Sequence, residues 1–410
     1  MSEVAQAIHS SPDGHIPQLR FPEFSGEWMT DELSNLIEIS SNKFNPNTSN
    51  ESKKCIELEH LSQETGELLG YTDSTAQAST KNAFTKGQVL FGKLRPYLKK
   101  FWLSQFDGVC SSEIWVLNGK KLANNYLFQF IQTNKFNQIA NVSSGSKMPR
   151  SDWKYMVQVP FKYTTKPEQQ KIAAFLTAVD TKIEQLSNKK ALLGEYKKGL
   201  MQQIFSQAIR FKADDGSDFP DWEEKKLGDV CKLQGGYAFK SAEFQKHGIP
   251  IIRISNISNN NDFIDNRNLV YYNEIKNSDK FIIKNGDLIV AMSGATTGKS
   301  SIYNLIEDAY LNQRVGLFKA NNSLLDYGFL IQIVFSYIFA TQLDSVLVAG
   351  AQPNVSSKDI EGFEISLPSK IEQNKIANFL SSIDSKIEQV GKQLDESKQF
   401  KKALLQQMFV

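Results

Sequence analysis

The 410-residue chain reads as an α+β protein: two tandem modules of mixed short strands and helices, separated by a pair of long antiparallel coiled-coil helices. Three observations predict this. A segment of about 38 residues returns without a gap 204 residues later. Both copies carry apolar residues at seven-residue spacing, the second with one break at Ser397. The remaining chain breaks into short β-branched and aromatic runs bounded by turn residues.

Composition sets the outer limits. At 40% hydrophobic and 22% charged, the chain has enough apolar material for two cores. A net charge of +2 means that any nucleic-acid binding must come from local patches. No run of about 18 apolar residues is present. Met1–Arg20 is polar, contains Pro12, Gly14 and Pro17, and lacks the apolar stretch of a secretory signal. A flexible tail over residues 1–19 and a soluble, cytoplasmic protein with no membrane partner are therefore expected. Cys55, Cys110 and Cys231 lie far apart, with no Cys or His at ligand spacing, which argues against both a disulfide framework and a zinc site.

The repeat is strongest in the helices. Glu168-Gln-Gln-Lys-Ile-Ala-Ala-Phe-Leu176 returns as Glu372-Gln-Asn-Lys-Ile-Ala-Asn-Phe-Leu380, and Lys197-Lys-Gly-Leu-Met-Gln-Gln-Ile-Phe205 as Lys401-Lys-Ala-Leu-Leu-Gln-Gln-Met-Phe409. Ile172, Val179, Leu186, Leu193 and Leu200 form the heptad stripe of the first copy, widened by Phe175, Leu176, Ile183, Tyr196 and Ile204. Ile376, Ile383, Val390 and Leu404 form that of the second, interrupted at Ser397 and accompanied by Phe379, Leu380, Ile387, Phe400 and Met408. Pro167-Glu168 and Pro368-Ser369 supply the helix starts. A 38-residue helix is roughly 57 Å long and would expose its stripe if alone in water. Packing the two stripes together buries both, and an antiparallel pair keeps the modules apart. The expected packing residues are Ile172, Phe175, Val179, Ile183 and Leu186 with Ile376, Phe379, Ile383, Ile387 and Val390.

These signals divide the chain into the tail, a first module over 20–165, a helix over 166–209, a second module over 210–367 and a helix over 368–410. The modules are themselves collinear. Phe21-Pro-Glu matches Phe219-Pro-Asp, Trp28 matches Trp222, and Lys86-Gly-Gln-Val-Leu90 matches Asn285-Gly-Asp-Leu-Ile289. Strands are predicted at Gln88–Phe91, Glu113–Leu117 and Met156–Pro160 in the first module. In the second they fall at Ile249–Ile254, Phe281–Ile283, Asp287–Val290, Val315–Phe318 and Phe363–Leu367. Single helices are predicted over Leu122–Ile139 and Leu324–Leu343.

Lys81, Lys86, Lys93, Arg95, Lys99 and Lys100 fall in a stretch without a carboxylate, interleaved with Phe91, Tyr97, Phe101 and Trp102. That is a local footprint for phosphate. Gly145-Ser-Lys-Met-Pro-Arg150 and Gly350-Ala-Gln-Pro-Asn354 occupy equivalent places before the last strand of each module. Their Arg, Asn and Gln are the side chains that hydrogen-bond base edges.

Three catalytic patterns fail, two on spacing and one on a missing motif. Gly294-Ala-Thr-Thr-Gly-Lys-Ser300 has three residues between its glycines where a nucleotide-binding phosphate loop needs four. Pro220-Asp-Trp-Glu-Glu-Lys225 places its carboxylates too close together for a metal-dependent nuclease. An adenine methyltransferase needs a Pro-Pro that is nowhere in the chain. The four histidines are scattered, and no active site is expected.

In sum of these motifs the chain resembles the specificity subunit of type I restriction–modification systems. The resemblance is carried by the module starts Phe21-Pro-Glu and Phe219-Pro-Asp-Trp, by Phe91-Gly-Lys-Leu-Arg-Pro-Tyr97, and by Phe106-Asp-Gly-Val-Cys-Ser-Ser-Glu113. In the second half it is carried by Gly294-Ala-Thr-Thr-Gly, Leu311-Asn-Gln-Arg-Val315 and Gln352-Pro-Asn-Val-Ser356, and in both halves by the Glu-Gln-x-Lys-Ile-Ala-x-Phe-Leu helices. The family's division of labour would make each module a target-recognition domain reading one half of a bipartite DNA site. The helices would set the spacer and dock two methyltransferase subunits. S-adenosylmethionine would be bound by those partners and ATP by motor-nuclease subunits, leaving this chain without catalysis, cofactor or metal. The expected DNA contacts are Lys93, Arg95, Tyr97, Lys99, Lys147 and Arg150 in the first module, and Arg253, Thr297, Lys299, Arg314, Gln352 and Asn354 in the second. A specificity component of a related non-translocating methyltransferase–nuclease complex, or a coiled-coil interaction scaffold, would share many of these features.

Overall fold

The computed structural model describes residues 16–48, 51–76, 79–142, 148–257, 262–275, 279–349 and 354–410. It divides into two compact units. The first comprises the chain up to Asn188 together with Gly391–Val410, and the second comprises Lys189–Val390. The boundaries fall inside both long helices, so each unit owns the first half of the helix that follows its module and the last half of the other helix.

The first unit contains two main sheets and a two-stranded clasp. Met29–Glu32 pairs antiparallel with Pro160–Tyr163 as the clasp. One sheet has the order Ile37–Ile39, Ile114–Gly119, Val89–Gly92, Phe101–Leu103. The other runs Lys43–Phe44, Lys81–Phe84, Gly108–Cys110, Lys54–Ile56, Thr72–Asp73. The second unit repeats this plan. Glu223–Lys226 clasps Glu364–Leu367. Its sheets are Cys231–Gly235, Val315–Ala320, Leu288–Ala291, Ser300–Ile302 and Val270–Tyr272, Ile249–Ile252, Ala309–Leu311, Ile282–Ile283. Even the parallel pairing recurs, with Cys55 opposite Val109 in one copy and Ile251 opposite Tyr310 in the other. Strands such as Val89–Gly92 and Leu288–Ala291 are buried along their whole length, which is why they read as unbroken apolar runs without alternation.

Several element boundaries differ from the sequence expectation, each for a local reason. Met156–Pro160 is not a strand. Asp152 caps the short helix Trp153–Met156 by accepting the Lys154 amide at 2.9 Å, and the strand begins only at Pro160. The single helix expected over Leu122–Ile139 is two, Asn124–Phe130 and Asn134–Ala140. The one expected over Leu324–Leu343 is Tyr327–Val334 followed by Tyr337–Ala349, bent by 55°. A hydroxyl sits at each break: Thr133 Oγ1 donates to Phe130 O at 2.8 Å and Ser336 Oγ to Ile333 O at 2.6 Å. Such local bonds compete with helix continuation. Ile254 opens a 3-10 turn, and Phe281 closes one, where strand was expected. Among the described residues, no single helix is long and apolar enough to cross a membrane.

The long helices span Lys166–Phe205 and Lys370–Gln407 and pack together. Their direction is antiparallel: in the first unit Ile172 and Leu176 share a core with Leu404 and Met408, while Asp180 meets Lys401. In the second unit Ile204 and Met201 share a core with Ile376 and Leu380, while Lys197 meets Asp384. The seam of the terminal helix alternates by four and three residues through Ile376, Leu380, Ile383, Ile387, Val390, Leu394, Ser397, Lys401, Leu404 and Met408. Two expected packing residues lie off it. Phe379 is exposed and meets Phe211 edge-on with ring centroids 5.5 Å apart, and its counterpart Phe175 meets Phe21 in the same way at 5.7 Å. These two rings fasten each helix to the start of its own module. Tyr196 and Phe400, also expected in the stripe, are exposed at 57% and 51%, whereas the neighbouring Lys197 and Lys401 are buried.

The repeated Glu-Gln pair explains how each helix is seated. Glu168 is buried in the first helical turn and accepts Nε and Nη2 of Arg20 at 2.7 and 2.8 Å. Glu372 does the same for Arg210 at 3.4 and 3.0 Å and also accepts Trp222 Nε1 at 3.0 Å. A carboxylate is favoured at a helix start, and pairing with arginine compensates its burial. The adjacent Gln169 and Gln373 accept the backbone amides of Ala123 and Asp326 at 2.8 and 2.7 Å, tying the helix to the helical layer of its module. Phe21 was expected to correspond to Phe219, and its role is in fact split. Phe219 lies under Lys375 as Phe21 lies under Lys171, while Phe211 takes the ring contact. Leu19, assigned to the tail from sequence, donates its amide to Gln407 O at 2.9 Å.

Candidate nucleic-acid interface

Three backbone segments converge at one edge of each module. In the first, the end of strand Val89–Gly92 leads into Lys93, Leu94 and Arg95. Lys93 N donates to Glu113 O at 3.0 Å, Ser151 N to Lys93 O at 2.9 Å, and Arg95 N to Pro149 O at 2.8 Å. Leu94 and Arg150 form an isolated antiparallel bridge. In the second module Met292 N donates to Arg314 O at 2.9 Å, Val355 N donates to Met292 O at 3.0 Å, and Ser293 bridges Asn354. The hydrogen bonds thus define equivalent positions without reference to side chains: Lys93 with Met292, Arg95 with Gly294, Glu113 with Arg314, and Arg150 with Asn354.

The side chains on this common framework diverge. Arg150 donates Nε and Nη2 to the two oxygens of Glu113, both at 3.0 Å, and Lys93 Nζ stands 4.0 Å from the same carboxylate. Arg150 and then Lys93 hold the Glu113 carboxyl below the usual carboxylate range, against the opposing effect of partial burial. In the second module Arg314 is exposed, and its side chain has no hydrogen-bond or ionic partner among the described residues. Asn354 is also exposed.

The following turn is also shared, and it shows why two of the expected contact residues are unusual. Arg95 and Lys99 adopt left-handed backbone conformations at φ 52° and 47°. The corresponding positions in the second module are Gly294 and Gly298, at φ 86° and 80°. The backbone requires a left-handed residue at both places, and the first module fills them with cationic side chains. Arg95 is exposed, as is Tyr97 at 55%. Lys99 pairs with Glu64 at 2.8 Å, and Lys100 donates to Leu58 O at 2.6 Å. Lys81 is buried and paired with Glu57 at 2.6 Å, so it does not belong to an exposed basic face. The stretch reads as carboxylate-free in sequence only because Glu57, Glu64 and Glu113 arrive from elsewhere in the chain.

The remaining expected contacts differ in character. Lys299, equivalent to Lys100, is exposed. Thr297 turns its hydroxyl inward to Gly294 O at 2.6 Å, where it holds the turn. Arg253 is half-buried, donates Nη2 to Asn268 O at 3.1 Å and lies over the Phe244 ring at 5.7 Å, so much of it is engaged in packing. Lys147 and Gln352 lie outside the described residues. Sequence reasoning missed Glu113 as a member of the site. Its signal was available in the alignment of Ser111-Ser-Glu113 with Asn312-Gln-Arg314, where a carboxylate in one copy takes the place of a guanidinium in the other.

Residues 25–194 and 220–396 each match the type I restriction modification DNA specificity domain. The chain belongs to this family of type I specificity subunits. As such it is the DNA-recognising, non-catalytic subunit of a type I restriction–modification system. It is 26% identical over 309 residues to the type I restriction enzyme MjaVIII specificity subunit of Methanocaldococcus jannaschii, covering 73% of this chain and 72% of that protein. It is 30% identical over 158 residues to the EcoDI specificity subunit of Escherichia coli, covering 37% and 34%. The fold is that of the crystallised S subunit from M. genitalium, with a TM-score of 0.63 at 15% identity over 96% of this chain and 99% of that one. In this specificity subunit the doubled match coincides with the doubled framework described above.

Proposed function

We propose that each module reads one half of a bipartite DNA site, that the paired helices fix the number of unread base pairs between the halves, and that the same helices dock two methyltransferase subunits. S-adenosylmethionine chemistry would then belong to those subunits and ATP-driven translocation to motor-nuclease subunits. One observation carries this reading. Equivalent backbone positions at the module edge hold different side chains, with Lys93, Glu113 and Arg150 answering to Met292, Arg314 and Asn354. The helices, by contrast, keep the same Asp–Lys pairs in both copies. Diverged edges suit two different half-sites, and matched helices suit two identical partners.

The reading is tested by co-expressing the chain with methyltransferase subunits and sequencing the methylome. A split motif with a fixed spacer is expected. One helical turn, four residues or roughly 6 Å, is then inserted between Leu193 and Gly194 and also between Ile387 and Glu388, which leaves both Asp–Lys pairs in register. The spacer should lengthen by about one or two base pairs at the ~3.4 Å rise of duplex DNA. An unchanged spacer would refute the ruler role, and methylation without any split motif would refute half-site reading.

A further inference from the structure

We propose that Glu113 is a positioning residue that presents Arg150 to a guanine in the half-site of the first module, and that the second module, with Arg314 and Asn354 at those two positions, reads a different base there. The inference rests on the half-site reading above and adds to it a named reader, its support and the base.

Arg150 carries five N–H donors in a rigid plane. Glu113 engages Nε and the near hydrogen of Nη2, both at 3.0 Å, which fixes the plane of the guanidinium. The remaining donors, two on Nη1 and one on Nη2, point away from the carboxylate. Two of them run parallel from the end of the fork, which is the pattern that matches the O6 and N7 acceptors of guanine in the major groove. The arginine side chain is 45% exposed, so its free end is reachable, while Glu113 at 26% lies behind it.

Two alternatives are less compatible with this geometry. A carboxylate can itself accept from the cytosine amino group. Here both Glu113 oxygens already accept from Arg150, and Lys93 stands on the same group, so the carboxylate is occupied as a support. A phosphate contact would not need a fixed plane, since any cation meets a phosphate. The backbone adds to the rigidity. Arg150 is flanked by its bridge to Leu94 and by the Ser151 amide bonded to Lys93 O at 2.9 Å, so the reader sits on a paired strand edge.

In the second module no carboxylate occupies the support position. Arg314 extends from it, and Asn354, suited to adenine, stands where Arg150 stands in the first. The charge at the support position is therefore reversed between copies, and the reader position changes from a cation to a neutral amide.

The test uses the full chain co-expressed with methyltransferase subunits on a plasmid library randomised across the motif, comparing wild type with Glu113→Gln and Arg150→Lys. Both variants should lose discrimination by about tenfold at one and the same base pair, a guanine in the wild-type motif, leaving the other half-site and the spacer unchanged. Arg150→Lys keeps the charge and gives an independent reading if Glu113→Gln folds poorly. A motif that stays intact in both variants, a uniform fall in methylation with no change at any position, or changes at different base pairs would each overturn the proposal. If the wild type itself selects no split motif, the half-site reading fails and this inference with it, an outcome distinct from a wild-type motif that both variants share.

Discussion

Lys401 Nζ lies 2.6 Å from Asp180 Oδ1 between the two long helices, and the repeat-related pair, with the two residues exchanged between the helices, places Lys197 Nζ 2.6 Å from Asp384 Oδ1. Both lysines occupy seam positions that an unbroken heptad would fill with leucine. In the first unit Asp180 also accepts Gln129 Nε2 at 2.9 Å, and Lys401 donates to Gln132 Oε1 at 2.6 Å. In the second, Asp384 accepts Gln332 Nε2 at 3.2 Å. Asp262 belongs to the same electrostatic neighbourhood, and burial raises its carboxyl above the usual range although Lys197 pulls the other way. Polar pairs in an apolar seam specify register, because a slipped helix would leave each charge without its partner.

Lys401→Met should therefore destabilise the protein by about 2 kcal/mol, somewhat below the ~3–5 kcal/mol expected for stranding a fully buried charge, because Asp180 retains contact with water. Adding Asp180→Leu should recover most of that loss. Chemical denaturation of the two variants checks this, and a single variant costing under about 0.5 kcal/mol would mark the pair as solvent-screened.

The three cysteines supply a pH prediction. Burial pushes the Cys55 thiol up to about 11 and that of Cys231 to about 12, and raises Cys110 further. An unfolded thiol titrates near ~8.5. Below that value both states keep the proton and the thiols contribute no pH dependence. Above it the unfolded chain releases protons that the folded one retains, so stability falls as pH rises, until the folded thiols ionise in turn. The slope should be about 1 kcal/mol per thiol per pH unit between roughly 9 and 11, and Cys231→Ala should flatten it. In the same experiment iodoacetamide at neutral pH should label none of the three in the folded protein and all three in urea. Fast labelling of Cys55 under native conditions would contradict the burial.

Much of this architecture was legible from the repeat alone. The Glu-Gln-x-Lys-Ile-Ala core of each helix, the heptad spacing and the collinear module strands are local signals, and they led to the α+β modules and the antiparallel pair. What could not be read depends on residues distant in sequence. Lys81 looked like part of a basic face because Glu57, its partner, lies 24 residues away. Phe379 looked like a seam residue because periodicity does not distinguish the partner helix from Phe211. The helix breaks at Thr133 and Ser336 turn on which way a hydroxyl points. Arg95 and Arg150 are DNA-contact candidates by residue type, whereas the carboxylate that pairs with Arg150 is visible only once strands have brought Glu113 beside it.

The left-handed conformation of Arg95 separates binding from folding in one substitution. A side chain at φ 52° costs roughly 1–2 kcal/mol relative to the right-handed region, and the second module avoids that cost with Gly294 at the same place in the turn. Arg95→Gly should relieve it, offset by the ~0.5–1 kcal/mol of extra chain entropy that glycine loses on folding. The net change in stability should be between zero and about 1.5 kcal/mol in favour of the variant. If Arg95 faces DNA, the same variant should bind more weakly, and removal of one phosphate contact should reduce the slope of log affinity against log salt by about 1. Thermal unfolding and salt titration of the assembled methyltransferase measure the two effects separately. A variant that is both less stable and unaltered in salt dependence would show that the arginine serves the turn and not the nucleic acid.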